Sequence, residues 1–180
     1  LKLICVKILW VILFGVNIPI LIIWNAIAQS ISIIFVYKLT KIIFSSTKIA
    51  VFTSVWMIIY WYHIVWTSRV IKESLLILLV MLVAYYFVKV FYSRKFGLPV
   101  FLFSLSFVYL FYTDERYLVY LPLLSIGFIL NEKEILSVRL KKMVTFFGIT
   151  LLLTAPWIYR NYLRYDKLVI LTPRVHQSLL

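Results

Sequence analysis

The strongest constraint on this chain is a succession of long apolar runs separated by short gaps that are mostly basic. Six runs stand at roughly 18–37, 49–66, 74–92, 97–112, 117–130 and 143–159. Four approach the ~20 residues a helix needs to cross a hydrocarbon core. The runs at 97–112 and 117–130 are shorter and read as a short or tilted helical hairpin. Residues 3–14 are interrupted by Lys7 and closed by Gly15, the pattern of an interfacial or re-entrant helix. With 64% hydrophobic residues and a mean hydropathy of +1.04, the chain is excluded from the water-soluble globular class. The expected fold class is all-α, a polytopic transmembrane bundle of about six helices with the bilayer as its solvent.

Nineteen Lys and Arg against six Asp and Glu give a formal net charge of +13. In a soluble protein this would point to nucleic acid, but no basic segment here carries the soluble fold that such readers use, so nucleic acid is not an expected partner. The bases instead fall in alternate gaps. Lys38, Lys41, Lys48, Lys89, Arg94, Lys95, Lys133, Arg139, Lys141 and Lys142 fall in one set, and only Arg69, Lys72 and Arg116 in the other. The positive-inside rule makes the first set cytoplasmic and puts the tail from about Arg160 outside. Cys5 is the only cysteine, so no intrachain disulfide forms, and no Cys/His spacing resembles a zinc site. The first residues read as mid-protein sequence, so the chain is expected to be part of a longer one.

The outer gaps hold the chemistry. "TSRVIKES" carries Arg69, Lys72 and Glu73, and "YTDER" carries Asp114, Glu115 and Arg116, which places three of the six acids on one face. An exposed Arg–Glu pair at helical spacing stabilises a helix end by only about 0.3–0.5 kcal/mol and is an ordinary structural device. Charge at the hydrocarbon boundary costs several kcal/mol when deeply placed, which favours a functional reading. Acids beside bases at a membrane surface can hold a divalent cation and a phosphate together, with Arg giving bidentate hydrogen bonds to phosphate oxygens. A lipid-linked phosphate fits, its head at the interface and its chain among the helices. Proton or ion transport is the competing use, but the runs carry few mid-depth charges. His63, near Trp61 and Trp66, reads as a structural interfacial residue. Glu132, Glu134 and Asp166 read as solvated.

Several motifs occur in a telling order: "LFGVN" (13–17), "NAIAQSISIIFVYKLTKIIFSS" (25–46), "TSRVIKESLLILL" (67–79), "YTDERYLVYLPLL" (112–124) and "APWIYRNYLRYDKLVIL" (155–171). Together they resemble the polytopic C-type glycosyltransferases (GT-C fold), specifically the dolichyl-phosphate-mannose protein mannosyltransferase-like group and its bacterial relatives. The resemblance covers nearly the whole chain, and its Pro-Trp-x-x-Arg-Asn-Tyr stretch is the most specific part. It departs at Trp24, where the family often carries Arg.

The resemblance implies inverting transfer of a sugar from a polyprenyl-phosphate carrier to a protein, lipid or glycan acceptor on the outer face of the membrane. In the family the catalytic base is an acid in the first extracytoplasmic loop, which precedes the region matched by Leu1, so this portion alone is expected to be inactive. By the same resemblance Glu73 is the catalytic candidate, as a metal- or acceptor-positioning acid. Arg69 and Arg116 become contacts for the carrier phosphate. Asp114 and Glu115 become substrate-side acids, one of them capping the turn, and Arg160 with Asn161 becomes a further substrate contact or a headgroup anchor. A divalent cation is the only cofactor implied. Residues 1–159 form the transferase module and 160–180 begin an extracytoplasmic loop or domain. The abundance of Ile and Lys points to a bacterial, AT-rich source, and the expected location is then a prokaryotic plasma membrane. The alternative from another class is a lipid-linked oligosaccharide flippase or other transporter, whose cationic cavity would also take a phosphate. A non-catalytic membrane scaffold would leave the outward gathering of acids and arginines unexplained.

Overall fold

The structure, a computed structural model, describes residues 18–60, 65, 72–92, 97–130 and 135–165. Among the described residues every element is helical, as expected, and no strand occurs. In chain order they are α1 (Ile18–Phe44), α2 (Thr47–Ile59), α3 (Glu73–Tyr92), α4 (Leu98–Thr113), a 3-10 turn (Glu115–Val119), α5 (Tyr120–Leu130) and α6 (Leu136–Tyr165). By length and composition α1 and α3 are sufficient to cross a membrane, while α2 and α4 are apolar but shorter. The helix proposed within residues 3–14 lies outside the described residues. The chain divides into two compact units, Leu1–Tyr92 and Ser93–Leu180.

In the first unit, α1 runs past the expected boundary near residue 37. Lys38 and Lys41 are good helix formers with long side chains, so they ride on the last turns of the helix without breaking it. Ser45 ends it by adopting a left-handed backbone, φ +51°. Ser46 then starts α2, its hydroxyl accepting the Ile49 N–H at 3.4 Å. The basic gap therefore narrows to a two-residue reversal. α2 stops sooner than the run at 49–66 suggests, because Tyr60 turns extended while its N–H still bonds the Trp56 carbonyl. Its 13 residues make a helix of only about 20 Å.

α1 packs on α2 and α3 through an unusual face. Asn25, Gln29, Ser32, Val36 and Thr40 recur at three- and four-residue spacing and are all buried, whereas Ile23, Ile27, Ile31 and Ile34 are exposed. Ser32 donates to the Gln29 carbonyl at 2.7 Å and lies 3.3 Å from its side-chain oxygen. α3 adds buried Ser74, Leu76, Leu79 and Val83, and α2 adds Ala50, Ser54 and Met57. In water an amphipathic helix turns its apolar stripe inward. Here that order is reversed.

The second unit closes on aromatic rings. Gly97 opens α4 with φ +111°, a conformation open to glycine, and Pro99 fits the first turn, where its missing N–H costs nothing. α4 buries Val100, Phe103, Phe107 and Phe111 along one stripe. Phe146 of α6 lies 4.6 Å from Phe103, 5.6 Å from Phe107 and 5.9 Å from Phe128 of α5, ring centre to ring centre. α6 begins at Leu136, so Arg139, Lys141 and Lys142 sit on its first turns rather than in a gap. Arg139 donates to the Ile129 carbonyl at 2.7 Å, capping the end of α5. Lys142 is only 1% exposed. Further on, Pro156 leaves the Leu152 carbonyl without its helical donor, and the next carbonyl, Leu153, accepts the Tyr112 hydroxyl at 2.8 Å. That bond ties α4 to the proline turn of α6.

Candidate functional site

The turn between α4 and α5 is built around Asp114. Its backbone leaves the helix (φ −150°, ψ 111°), ending α4 and starting the 3-10 turn. Its Oδ1 accepts the Arg116 backbone N–H at 3.2 Å, the Asx arrangement that fixes a tight turn. The same carboxylate grips the Arg116 guanidinium in a fork, Nε to Oδ1 at 2.9 Å and Nη2 to Oδ2 at 2.6 Å. Arg116 has a side chain 75% exposed against 4% for Asp114. The acid is thus the buried anchor and the base is presented outward, its charge partly compensated. Glu115 is half-buried at the start of the 3-10 turn.

Beside this turn lies an apolar recess of about 250 Å³, walled by Phe107, Leu118, Leu121, Phe147, Thr150 and Ile158 among others. Thr154 also lines it, and its hydroxyl bonds back to the Thr150 carbonyl at 2.8 Å. The Thr150 hydroxyl is buried and has no hydrogen-bond partner among the described residues. A buried hydroxyl left unmade costs about 1–3 kcal/mol, which makes this atom the natural polar contact for anything entering the recess.

Arg160 lies at the same end of the unit. Its guanidinium sits over the Trp157 ring at 5.4 Å, and Trp157 meets Tyr112 edge-on at 6.1 Å. Arg160 is exposed and makes no ion pair among the described residues. It is therefore the stronger anion contact of the two arginines, because among the described residues no carboxylate occupies its fork.

The second unit thus brings together Asp114, Glu115, Arg116 and Arg160. Glu73 belongs to the first unit, as the first residue of α3, where a carboxylate interacts favourably with the helix N-terminus. It is half-buried, and its Oε2 is buried without a hydrogen-bond partner among the described residues. Arg69 lies outside the described residues. The sequence reading missed Tyr112, Trp157, Thr150 and Thr154. Thr150 and Thr154, four apart in an apolar run just before Pro156 and Trp157, are the signal that marks them.

A divalent cation needs several oxygen ligands. Both Asp114 oxygens already bond Arg116, and among the described residues no three of His, Cys, Asp and Glu gather. The turn as it stands does not fit a cation. In comparisons with known proteins, the chain matches no family model, no curated protein and no solved structure.

Proposed function

We propose that the protein is a multi-pass integral membrane glycosyltransferase of GT-C-like architecture, in a prokaryotic plasma membrane, that moves a sugar from a polyprenyl-phosphate carrier to an acceptor at the outer surface. The membrane half rests on the reversed face of α1, because lipid gives isoleucines no reason to hide and makes buried amides and hydroxyls the groups that hold helices together. Counting from Ile18, Lys38 lies about 30 Å along α1, so it would emerge at the far interface of a bilayer.

The observation that carries the transferase half is the apolar recess whose walls lead to two arginines. Leu118 lies two residues past Arg116, and Ile158 lies two before Arg160. A polyprenyl phosphate has the matching shape, an apolar chain ending in an anion. The acceptor oxygen attacks the sugar C1, forming the new O–C1 bond as the C1–O bond to the carrier phosphate breaks. The departing electron pair stays on that phosphate, where Arg160, with Arg116, stabilises the charge. The acceptor proton passes to a carboxylate base, the role that the resemblance gives to an acid of the family's first extracytoplasmic loop.

Binding of a polyprenyl monophosphate and of the corresponding free prenol to the chain in nanodiscs, followed by tryptophan fluorescence, tests this. The phosphate is expected to bind at least tenfold tighter, since a charge-assisted hydrogen bond contributes about 1.5–3 kcal/mol. Arg160→Gln should remove most of that preference, and Arg116→Gln less of it. Equal affinity for prenol and phosphate would contradict the proposal.

A further inference from the structure

The end of the first unit remote from Glu73 carries four exposed lysines: Lys38 and Lys41 on α1, Lys48 at the start of α2 and Lys89 on α3. Three lie over aromatic rings. Lys38 sits 5.5 Å from the centre of Phe35, Lys41 5.7 Å from Tyr37 and Lys89 5.5 Å from Tyr85. Phe35 and Tyr85 themselves meet edge-on at 5.2 Å across the α1–α3 contact, and Tyr86 packs on both. Two ammonium groups are therefore held on the two rings of one aromatic pair.

Within the first unit no carboxylate balances them. The sequence has no acid before Glu73, and Glu73 is sixteen residues from Lys89 on the same helix, about 24 Å away. Among the described residues none of the four lysines makes an ion pair. A ring below an ammonium restricts a flexible side chain while leaving its N–H donors open, so less freedom remains to be lost when an anion binds. On α2 a shallow recess of about 470 Å³ begins at Thr47 and Lys48 and continues over Val51, Phe52 and Val55. It is apolar from the lysine onward.

We infer that this end of the first unit is a binding site for an anionic phospholipid, with the headgroup phosphate among Lys38, Lys48 and Lys89 and an acyl chain along Val51, Phe52 and Val55. Charge complementarity selects the lipid, since an unopposed lysine cluster at an interface attracts anionic headgroups and a zwitterionic headgroup offsets its own phosphate. The site rests on the membrane placement proposed above and not on sugar transfer.

Native mass spectrometry of the full chain in neutral detergent, titrated with phosphatidylglycerol and separately with phosphatidylcholine, tests it. Phosphatidylglycerol is expected to bind at least tenfold tighter. Lys38→Gln with Lys89→Gln should lower its affinity about twentyfold, roughly fivefold per lysine. Both side chains are exposed, and Lys38→Arg with Lys89→Arg should keep the preference, separating charge from folding. Lys72→Gln, beside Glu73 at the opposite end of α3 from Lys89, should leave affinity within about twofold. No preference in the unsubstituted chain, or an equal loss in that control, overturns the site while leaving the membrane placement intact. A chain that stays soluble and monomeric without detergent overturns both.

Discussion

In the first unit α1 turns amides and hydroxyls inward, Asn25, Gln29, Ser32 and Thr40 among them, and α3 adds the apolar Leu76, Leu79 and Val83, whereas the centre of the second unit is the rings of Phe103, Phe107, Phe128 and Phe146. Both units expose isoleucine, leucine and valine, so the difference lies in what each buries. In lipid, apolar area drives no association between helices, and close packing with interhelical polar contacts must hold them. The buried polar face of α1 suits that rule, on the membrane placement proposed above. The second gains its cohesion from aromatic packing around Phe146, which leaves room at one end for an apolar recess and a turn that carries charge. On the proposed function, the first unit anchors and the second presents the site.

Five substitutions would break or sharpen this contrast. The largest effect is expected from Phe146→Ala, which empties the centre of the second unit and should cost about 3–5 kcal/mol, measured by unfolding in mixed micelles with sodium dodecyl sulfate. A small cost would mean that the aromatic cluster is not what holds that unit. Arg160→Ala should lower transfer by about a hundredfold, and Arg116→Ala by nearer tenfold, because Asp114 already compensates Arg116. Equal losses, read from initial rates at saturating carrier, would remove the distinction. Gln29→Leu should loosen the first unit by about 0.6–1.7 kcal/mol, the range for intramembrane polar contacts. A clear stabilisation would instead point to a water-facing helix. Smallest is Tyr112→Phe, which deletes only the hydroxyl bonded to the Leu153 carbonyl and should cost about 1 kcal/mol.

The helices were legible because each apolar run is also a run of helix formers bounded by polar residues, so the six runs and the helices coincide to within a turn or two at most ends. Where they differ, the cause is local. Lys38 and Lys41 read as a gap because they are charged, yet a lysine on a terminal turn keeps its backbone bonds while its ammonium reaches outward, and only the left-handed Ser45 stops the helix. Arg139 read as an orienting charge and proves to cap α5, a contact ten residues back in sequence that no spacing rule anticipates. The turn at Asp114–Arg116 was visible as a cluster, but its division of labour was not. Which of two neighbouring side chains is buried depends on how α4 and α6 meet, and that is settled by Tyr112, Leu153 and the proline turn. The unpartnered Thr150 hydroxyl was invisible for the same reason, since a threonine on a helix ordinarily bonds back to its own carbonyls.

The most direct test of sugar transfer uses membranes from cells producing the protein in its natural reading frame, supplied with polyprenyl phosphate carrying a radiolabelled sugar. Carrier and sugar are followed separately. The label is expected to leave the carrier and appear on an acceptor with inverted anomeric configuration, releasing free polyprenyl phosphate, and Arg160→Gln should slow that release. Carrier that crosses the bilayer with its sugar still attached, unaffected by an acceptor, would contradict transfer and mark the protein as a flippase.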